Sequence, residues 1–180
     1  MDNNQIDNIS RNNPVTKHTY IGCFAENKMP MKPENGYMIV NNESDPSKMG
    51  HWILIYKNND KHYFFDSFGF HPSIYGGNIA SYCNTYNNIQ LLLKKPIQSN
   101  KSYVCGAYCL YVAYYLCKNM PAEKIITRFS KRNLHNDKIV EKFIMDVTGN
   151  QHSCKTNMCG VLTFRSEEHT SELQSLCDIS

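Results

Sequence analysis

The amino-acid sequence predicts an α+β fold, because strand-like segments occupy its first half and helix-like segments its second half. Its 180 residues are enough for one domain with a substantial apolar core. We find no internal repeat and no linker in the sequence. The predicted domain therefore spans residues 19–164 and follows a polar, loosely ordered N-terminus over residues 1–18.

The first half is predicted to supply the sheet. Residues 20–30 mix aromatic and apolar side chains and are interpreted as an ordered connection. The turn sequence NNDK joins two of the strands into a hairpin. Turn-forming residues at 41–50 precede this hairpin. After it, Gly and Pro interrupt the strand-like alternation at 67–77. The predicted strands are GYMIVNN at 36–42, HWILIYK at 51–57, HYFFD at 62–66 and NIQLLLK at 88–94.

The second half is predicted to be helical. Residues 104–118 are too long for a typical strand and apolar on every face, which is typical of a buried helix. A Pro at position 121 opens a helix predicted over 121–132. A last helix is predicted over 135–149, where Ile139, Phe143 and Val147 recur every four residues.

The C-terminal segment is interpreted as foreign to the natural protein. RSEEHTSELQS at 165–175 matches the translation of a common sequencing-adapter oligonucleotide, so residues 165–180 carry no functional weight. The whole chain has 19 basic and 16 acidic residues, a net charge of +3. Without residues 165–180 it has 18 basic and 12 acidic residues, a net charge of about +6, which indicates a moderately basic protein.

The composition indicates an intracellular protein that is not secreted. The first ten residues, MDNNQIDNIS, are polar and lack the apolar core of a signal peptide. No segment is long and apolar enough to span a bilayer, and no membrane partner is expected. The eight cysteines are therefore expected to be reduced thiols and not a disulfide framework.

Two reactive side chains lie at the open end of the predicted hairpin. His51 begins one strand and Asp66 ends its partner, so antiparallel pairing brings an imidazole and a carboxylate close together. A carboxylate in that place can hold the imidazole in one tautomer and stabilise its cation.

A cysteine stands at the start of the predicted buried helix. The free N–H groups and partial positive charge of a helix N-terminus stabilise a thiolate at Cys105, and a cationic His51 nearby would stabilise it further. Gly106 allows a substrate to approach the backbone closely. The side-chain amide of Gln98 and the backbone N–H of Cys105 can together form an oxyanion hole for acyl transfer.

These residues, in this order, resemble the adenovirus maturation protease family, the adenain-like cysteine peptidases. The matching elements are GHWILIY at 50–56, YFFDSFGF at 63–70, and Gln98 followed after six residues by Cys-Gly. Relatives occur in virophages and Maverick/Polinton-type elements, and the ubiquitin-like-protein peptidases are more distant kin. The resemblance covers most of residues 20–150. It implies a papain-like fold of the ubiquitin-like-protein-peptidase type, with a small mixed sheet flanked by helices and a buried central helix carrying the nucleophile.

The resemblance also implies a role for each site residue. His51 would be the general base, Asp66 its orienting acid and Cys105 the nucleophile. Gln98 would donate to the oxyanion, and Trp52 would pack beside the imidazole. The implied activity is a cysteine endopeptidase that cuts capsid or core precursor proteins during virion maturation, in the host nucleus or the virion. The sequence itself requires no cofactor and no metal.

The chain departs from the adenovirus enzyme at two positions. That enzyme has Glu where Asp66 stands, so the carboxylate here has a shorter reach. That enzyme also binds a disulfide-linked activating peptide through a cysteine shortly before the glutamine. Cys83 is the nearest cysteine here and does not match it, so no such peptide is expected.

DNA acts as a cofactor in that family, and the second half of this chain has basic residues that would permit phosphate binding. A solvated surface with no ligand is the alternative for these residues. The candidate DNA contacts are Lys124, Arg128, Lys131, Arg132, Lys138 and Lys142.

The remaining cysteines are interpreted as structural. Cys109 and Cys117 lie within the predicted buried helix and are expected in the core. His152, Cys154 and Cys159 form the pattern H-x-C-x4-C, a zinc candidate with irregular spacing and no identified fourth ligand.

Two other functions fit the same sequence. The first is a peptidase for ubiquitin-like modifiers, which would recognise a folded ubiquitin-like domain where a maturation protease recognises extended precursor segments. The second is a catalytically silent DNA-binding or capsid-binding module of the same fold. In that case Cys105 would have an ordinary thiol pKa.

Overall fold

The computed structural model describes residues 1–32, 34–45, 49–86 and 88–152. The side chain of His152, together with Cys154, Cys159 and the segment 165–180, lies outside this description. The zinc candidate and the interpretation of the C-terminal segment therefore stay predictions.

Five strands and five α-helices make up the described part of the chain. Two short 3₁₀ turns, Glu26–Lys28 and Pro72–Ile74, join some of them. In chain order the elements are α1 (Asn3–Asn12), β1 (Tyr20–Ala25), β2 (Gly36–Asn41), β3 (Trp52–Asn58), β4 (Lys61–Phe65), α2 (Gly77–Thr85), β5 (Ile89–Leu91), α3 (Cys105–Cys117), α4 (Ala122–Ile126) and α5 (Asn133–His152).

The strands form one mixed sheet in the order β1-β2-β3-β4-β5. The central strand β3 is antiparallel to both of its neighbours, β2 and β4, and the edge strands β1 and β5 run parallel to their neighbours. Asn59 in the turn between β3 and β4 has a φ of 51°, a conformation that Asn tolerates better than most residues. The predicted hairpin is confirmed, and so is the α+β fold class.

Alternate side chains of each central strand point to opposite sides of the sheet. Both sides are buried, because helices cover each of them. On one face, Leu54 and Phe65 pack with α1, α3 and α5. On the other face, Ile53 and Phe64 pack with α2. The sheet is therefore the middle layer of a three-layer arrangement.

Helix α3 is the buried central helix that the sequence predicts. Ten of its 13 residues are buried, including Cys105 at its first position. Aromatic and apolar side chains surround it on all sides, so it contacts the sheet, α1, α4 and α5. Within the described residues, no helix has the length and apolar content needed to cross a membrane.

The N-terminus differs from the sequence-based expectation of a loosely ordered segment. Asp2 caps α1 with a capping box, in which its carboxylate accepts from the Gln5 N–H and the Gln5 side chain accepts from the Asp2 N–H. Ile6 and Ile9 of α1 are buried in the core next to α3. The sequence does not predict this helix, because the segment is mostly polar, and Ile6 and Ile9 are its only apolar residues that face the core.

Other element boundaries also differ from the sequence-based predictions. The expected connection at 20–30 contains β1, which pairs in parallel with β2. Helix α2 lies in a region without a predicted element, although Ile79 and Tyr82 are buried at helical spacing. The predicted strand at 88–94 is reduced to β5, and the predicted helix at 121–132 is reduced to α4.

Candidate active site

The open end of the β3–β4 hairpin brings His51 and Asp66 together. Leu54 pairs with Phe65 across the two strands, so Ile53 falls opposite Asp66 and His51 lies two residues further along. The side chains span this offset, and His51 Nε2 lies 2.9 Å from Asp66 Oδ1. The hairpin therefore brings the two residues near each other, and their side chains close the remaining offset.

The backbone of His51 is held by the end of the neighbouring strand. Its N–H donates to Asn42 Oδ1 at 2.6 Å, and its carbonyl accepts from the Asn42 N–H at 3.0 Å. The bond from the Asn42 N–H extends the β2–β3 backbone ladder by one step, and the Asn42 side chain takes up the His51 N–H in place of a ladder partner.

Asp66 is 2% exposed and has three hydrogen-bond donors around it. Besides His51, the backbone N–H of Phe68 donates to Oδ1 at 2.7 Å and the Tyr75 hydroxyl donates to Oδ2. A buried carboxylate needs such partners to remain ionised. Asp66 is therefore suited to stabilise a cationic His51.

Cys105 is the first residue of α3 and is 8% exposed. The preceding Val104 offers no side-chain oxygen to cap the helix, which leaves the N–H groups of the first turn available to a ligand. The Cys105 thiol interacts with the His51 imidazole. Because Nε2 of His51 faces Asp66, Nδ1 is the nitrogen left for the thiol.

The pKa values of the pair move in opposite directions. Burial lowers the pKa of His51, but the interactions with Asp66 and Cys105 outweigh burial and raise it to about 9. Burial raises the pKa of the Cys105 thiol, but the hydrogen bond and charge of His51 outweigh this effect and the pKa is lowered. The arrangement stabilises the thiolate–imidazolium pair relative to a thiol beside a neutral imidazole.

Gln98 is 2% exposed, and its amide has a defined orientation. Its Oε1 accepts from the Ser67 hydroxyl at 2.6 Å, while its Nε2 donates to the Ser102 carbonyl at 2.9 Å. A carbonyl oxygen can only accept, so the amino group must be on the Ser102 side, and it keeps a second N–H for another acceptor. Gln98 is thus equipped to donate to an oxyanion.

The start of α5 holds the loop that carries Gln98. Asn136 Nδ2 donates to the Ile97 carbonyl at 2.9 Å, and Asn133 Nδ2 donates to the Gln98 carbonyl at 3.0 Å. Asp137 Oδ1 accepts from the backbone N–H of Ser99 at 3.3 Å. These contacts are missing from the sequence-based site, because they join residues 35 to 39 positions apart.

Trp52 and Gly106 lie on the α1 side of Cys105. Trp52 Nε1 donates to the Met1 carbonyl at 3.1 Å. A Cβ added to Gly106 would lie 3.3 Å from side-chain atoms of Met1 and Ile6 and 3.4 Å from Trp52 Cδ1. The space beside Gly106 is therefore bounded by the N-terminal segment, and its role in substrate approach stays a prediction.

The rings that pack against the imidazole are those of Phe68 and Tyr75. Their centroids lie 4.9 Å and 6.4 Å from that of His51. The family resemblance predicts Trp52 in this position, and no sequence motif predicts Tyr75 there. A tyrosine nine residues after the acid carries no motif, so only the tertiary structure reveals it as a partner of Asp66. The packing of Trp52 against His51 stays a prediction.

The candidate DNA contacts occupy several different elements. Lys124 lies on α4, Lys138 and Lys142 lie on α5, and Lys131 and Arg132 lie between these helices. Arg128 is placed 4.3 Å over the Tyr115 ring. Arg128 therefore already has an aromatic partner within the protein. DNA binding by the six candidate basic residues stays a prediction.

Cys109 and Cys117 of α3 have structural surroundings. Cys109 is fully buried, its thiol donates to the Trp52 carbonyl at 3.4 Å, and burial raises its pKa. Cys117 packs against the same core and lies 3.0 Å from Thr19 Oγ1. Within the described ranges, no group of His, Cys, Asp and Glu side chains could hold a metal ion.

The fold is similar to that of a solved viral protease. The crystal structure of ASFV pS273R protease matches this chain with a TM-score of 0.54 at 16% sequence identity. The match covers 81% of this chain and 66% of that protease, so this chain spans just under two thirds of its length. No family model and no curated protein matches the sequence. At this identity the likeness shows the fold, and the chain has the predicted papain-like cysteine-peptidase fold.

Proposed function

We propose that this chain is a cysteine endopeptidase. The observation that carries the proposal is the coupled geometry of Cys105, His51 and Asp66 at the start of a buried helix. The 2.9 Å contact between His51 and Asp66, with the lowered pKa of Cys105, is the arrangement that a thiolate nucleophile requires.

The proposed reaction proceeds in two steps. The Cys105 thiolate attacks the substrate carbonyl carbon, and the resulting oxyanion accepts from the Cys105 N–H and from Gln98 Nε2. His51 then donates its proton to the leaving amine, so that the C–N bond breaks and a thioester remains. Water, deprotonated by His51, hydrolyses the thioester, and Cys105 leaves as the thiolate.

The proposed substrates are capsid or core precursor proteins of a virus or mobile element. The resemblance to adenain-like peptidases and the likeness to a protease of ASFV support this choice. A peptidase for ubiquitin-like modifiers would use the same chemistry. DNA is proposed as an activator because DNA is a cofactor in the family that the sequence resembles and because basic residues on the second half of the chain would permit phosphate binding.

The reactivity of Cys105 tests the proposal. We would measure its rate of alkylation by iodoacetamide against pH, by mass spectrometry, in the wild type and in His51→Ala. The wild-type thiol is expected to react well below the free-thiol pKa of about 8.5, and the variant is expected to lose this advantage. Cys109 is an internal control, because burial raises the pKa of its thiol.

A rate that follows an ordinary thiol in both proteins would contradict the proposal. That outcome would favour the catalytically silent module with the same fold. Repeating the measurement with double-stranded DNA present would show whether DNA changes the wild-type profile, which the proposed activation requires.

A further inference from the structure

An open groove lies beside the candidate active site, on the side of Gln98. It has a volume of about 780 Å³, and its lining includes Phe68, Phe70, Pro96, Gln98, Arg132 and Leu134. We call it the Gln98 groove. Phe68 packs on the His51 ring and Gln98 is the proposed oxyanion donor, so the groove shares these two residues with the candidate active site.

The groove exposes apolar side chains that the fold itself does not need. Phe70 is 49% exposed and Leu134 is 66% exposed, although both are large and apolar. Covering such a side chain removes apolar surface from water, which is favourable. The lining is thus suited to apolar side chains of a ligand.

The segments around the groove are basic and contain no acidic residue. Residues 94–103 and 130–136 contribute Lys94, Lys95, Lys101, Lys131 and Arg132, and no Asp or Glu. Two nearby carboxylates, Asp66 and Asp137, are buried and accept hydrogen bonds from the protein. No ion pair found among the described residues includes Arg132, so it has no carboxylate partner within that part of the chain.

We propose that the Gln98 groove binds the substrate segment next to the scissile bond and selects an apolar residue together with an acidic one. Leu134 and Phe70 would contact the apolar side chain, and Arg132 would pair with the acidic side chain. The apolar lining and the continuity with Gln98 favour a peptide over a nucleic acid. This inference rests on the proposed endopeptidase function and adds a substrate class to it.

The charge preference is tested with electrophilic peptides. Epoxysuccinyl peptides that differ only by Glu or Lys at one position would be compared by their second-order rates of Cys105 modification. The Glu peptide is expected to react faster than the Lys peptide by on the order of fivefold, as one partly exposed ion pair allows. Arg132→Glu is expected to reverse this order. Lys61→Glu makes the same charge change at the far end of the hairpin and is expected to keep it.

The apolar preference has its own pair of variants. Wild-type Cys105 is expected to react faster with a Leu-containing peptide than with the Gly version. Leu134→Ala is expected to reduce this difference. Met145→Ala is the matched control, because Met145 is 68% exposed on the same helix and does not line the groove.

The outcomes separate this inference from the proposed function. If iodoacetamide detects the low-pKa thiolate but Glu and Lys peptides react equally, the inference is overturned and the endopeptidase proposal stands. An ordinary thiol profile overturns the endopeptidase proposal, and the inference falls with it. If Arg132→Glu weakens binding of a double-stranded DNA oligonucleotide but leaves the peptide rates unchanged, the groove is a nucleic-acid surface and the inference is wrong.

Discussion

The proposed chemistry depends on opposing effects at His51. Burial favours the neutral imidazole, while Asp66 and the Cys105 thiol favour the cation and raise the pKa to about 9. Asp66 can act in this way because Phe68 and Tyr75 satisfy it with hydrogen bonds in a buried position. The proposed ion pair of Cys105 and His51 therefore depends on the Phe68 N–H and the Tyr75 hydroxyl, which have no reacting role in the proposed mechanism.

Removal of the Asp66 charge is expected to weaken the ion pair. In Asp66→Asn the pKa of His51 should fall, because one of the interactions that raise it is lost. The Cys105 alkylation rate at pH 6.5 is then expected to fall by on the order of tenfold, about one pKa unit of stabilisation.

The same variant has a pH-dependent effect on stability. The folded pKa of His51 lies above 6.5, so its contribution to stability is complete below pH 6.5 and is lost as the pH rises through about 9. Urea unfolding should therefore show a larger loss for Asp66→Asn at pH 6 than at pH 9.5. Asp60→Asn, in the exposed hairpin turn, is the control and should show no such trend. An equal loss at both pH values would contradict the assigned role of Asp66.

Ser67 orients Gln98 and is expected to matter for stability as well. Ser67→Ala leaves the buried Gln98 Oε1 without its 2.6 Å donor. An unsatisfied buried acceptor costs about 1–3 kcal/mol in the free energy of unfolding. Urea denaturation would measure this loss, with the exposed Ser81→Ala as control. The low-pH alkylation of Cys105 should persist, because the ion pair does not involve Ser67.

At the scale of elements, the site is assembled from three separate parts. The β3–β4 hairpin supplies His51 and Asp66, the start of α3 supplies Cys105, and the loop before α3 supplies Gln98. The first turn of α5 holds that loop in place through Asn133 and its neighbours. Helix α5 is therefore part of the support of the site, although it contributes no reacting group.

Asn136 is expected to be the most sensitive position of α5. It is fully buried and donates to the carbonyls of Ile97 and Ser130, both at 2.9 Å. Asn136→Ala should lower the free energy of unfolding by about 1–3 kcal/mol, since the part-buried carbonyls of Ile97 and Ser130 each lose a donor. It should also slow the reaction of Cys105 with epoxysuccinyl peptides while leaving the iodoacetamide profile unchanged. Lys138 is exposed on the same helix, and Lys138→Ala should change neither the free energy of unfolding nor the rate with epoxysuccinyl peptides.

At the scale of the whole molecule, one sheet separates two apolar layers. The layer with α1, α3 and α5 contains Leu54, and the layer with α2 contains Ile53. Adjacent residues of β3 thus belong to different layers while sharing one backbone ladder. The two layers are expected to unfold together.

This coupling predicts the effect of truncation in either layer. Ile53→Ala and Leu54→Ala should each lower the free energy of unfolding by about 2–5 kcal/mol, because both side chains are almost fully buried. Each variant should keep a single transition in urea, followed by circular dichroism and by tyrosine and tryptophan fluorescence. Two separated transitions for either variant would show that the layers unfold independently.

The sequence by itself determined the hairpin and the buried helix. It also identified the four candidate catalytic residues, His51, Asp66, Gln98 and Cys105. These features are local, since alternation, a short turn and an apolar run fix strand and helix over a few residues. The proximity of His51 to Asp66 follows from such short-range geometry, because only 15 positions separate the two residues in the sequence.

Only the tertiary structure decided how the site is supported. The contacts of Gln98 with Ser67 and of Ile97 with Asn136 span 31 and 39 positions. The Tyr75 hydroxyl, the packing of α1 and the Gln98 groove likewise depend on how distant segments come together. No local pattern encodes such contacts, because they arise when burial of the shared apolar core brings remote polar groups within hydrogen-bonding distance.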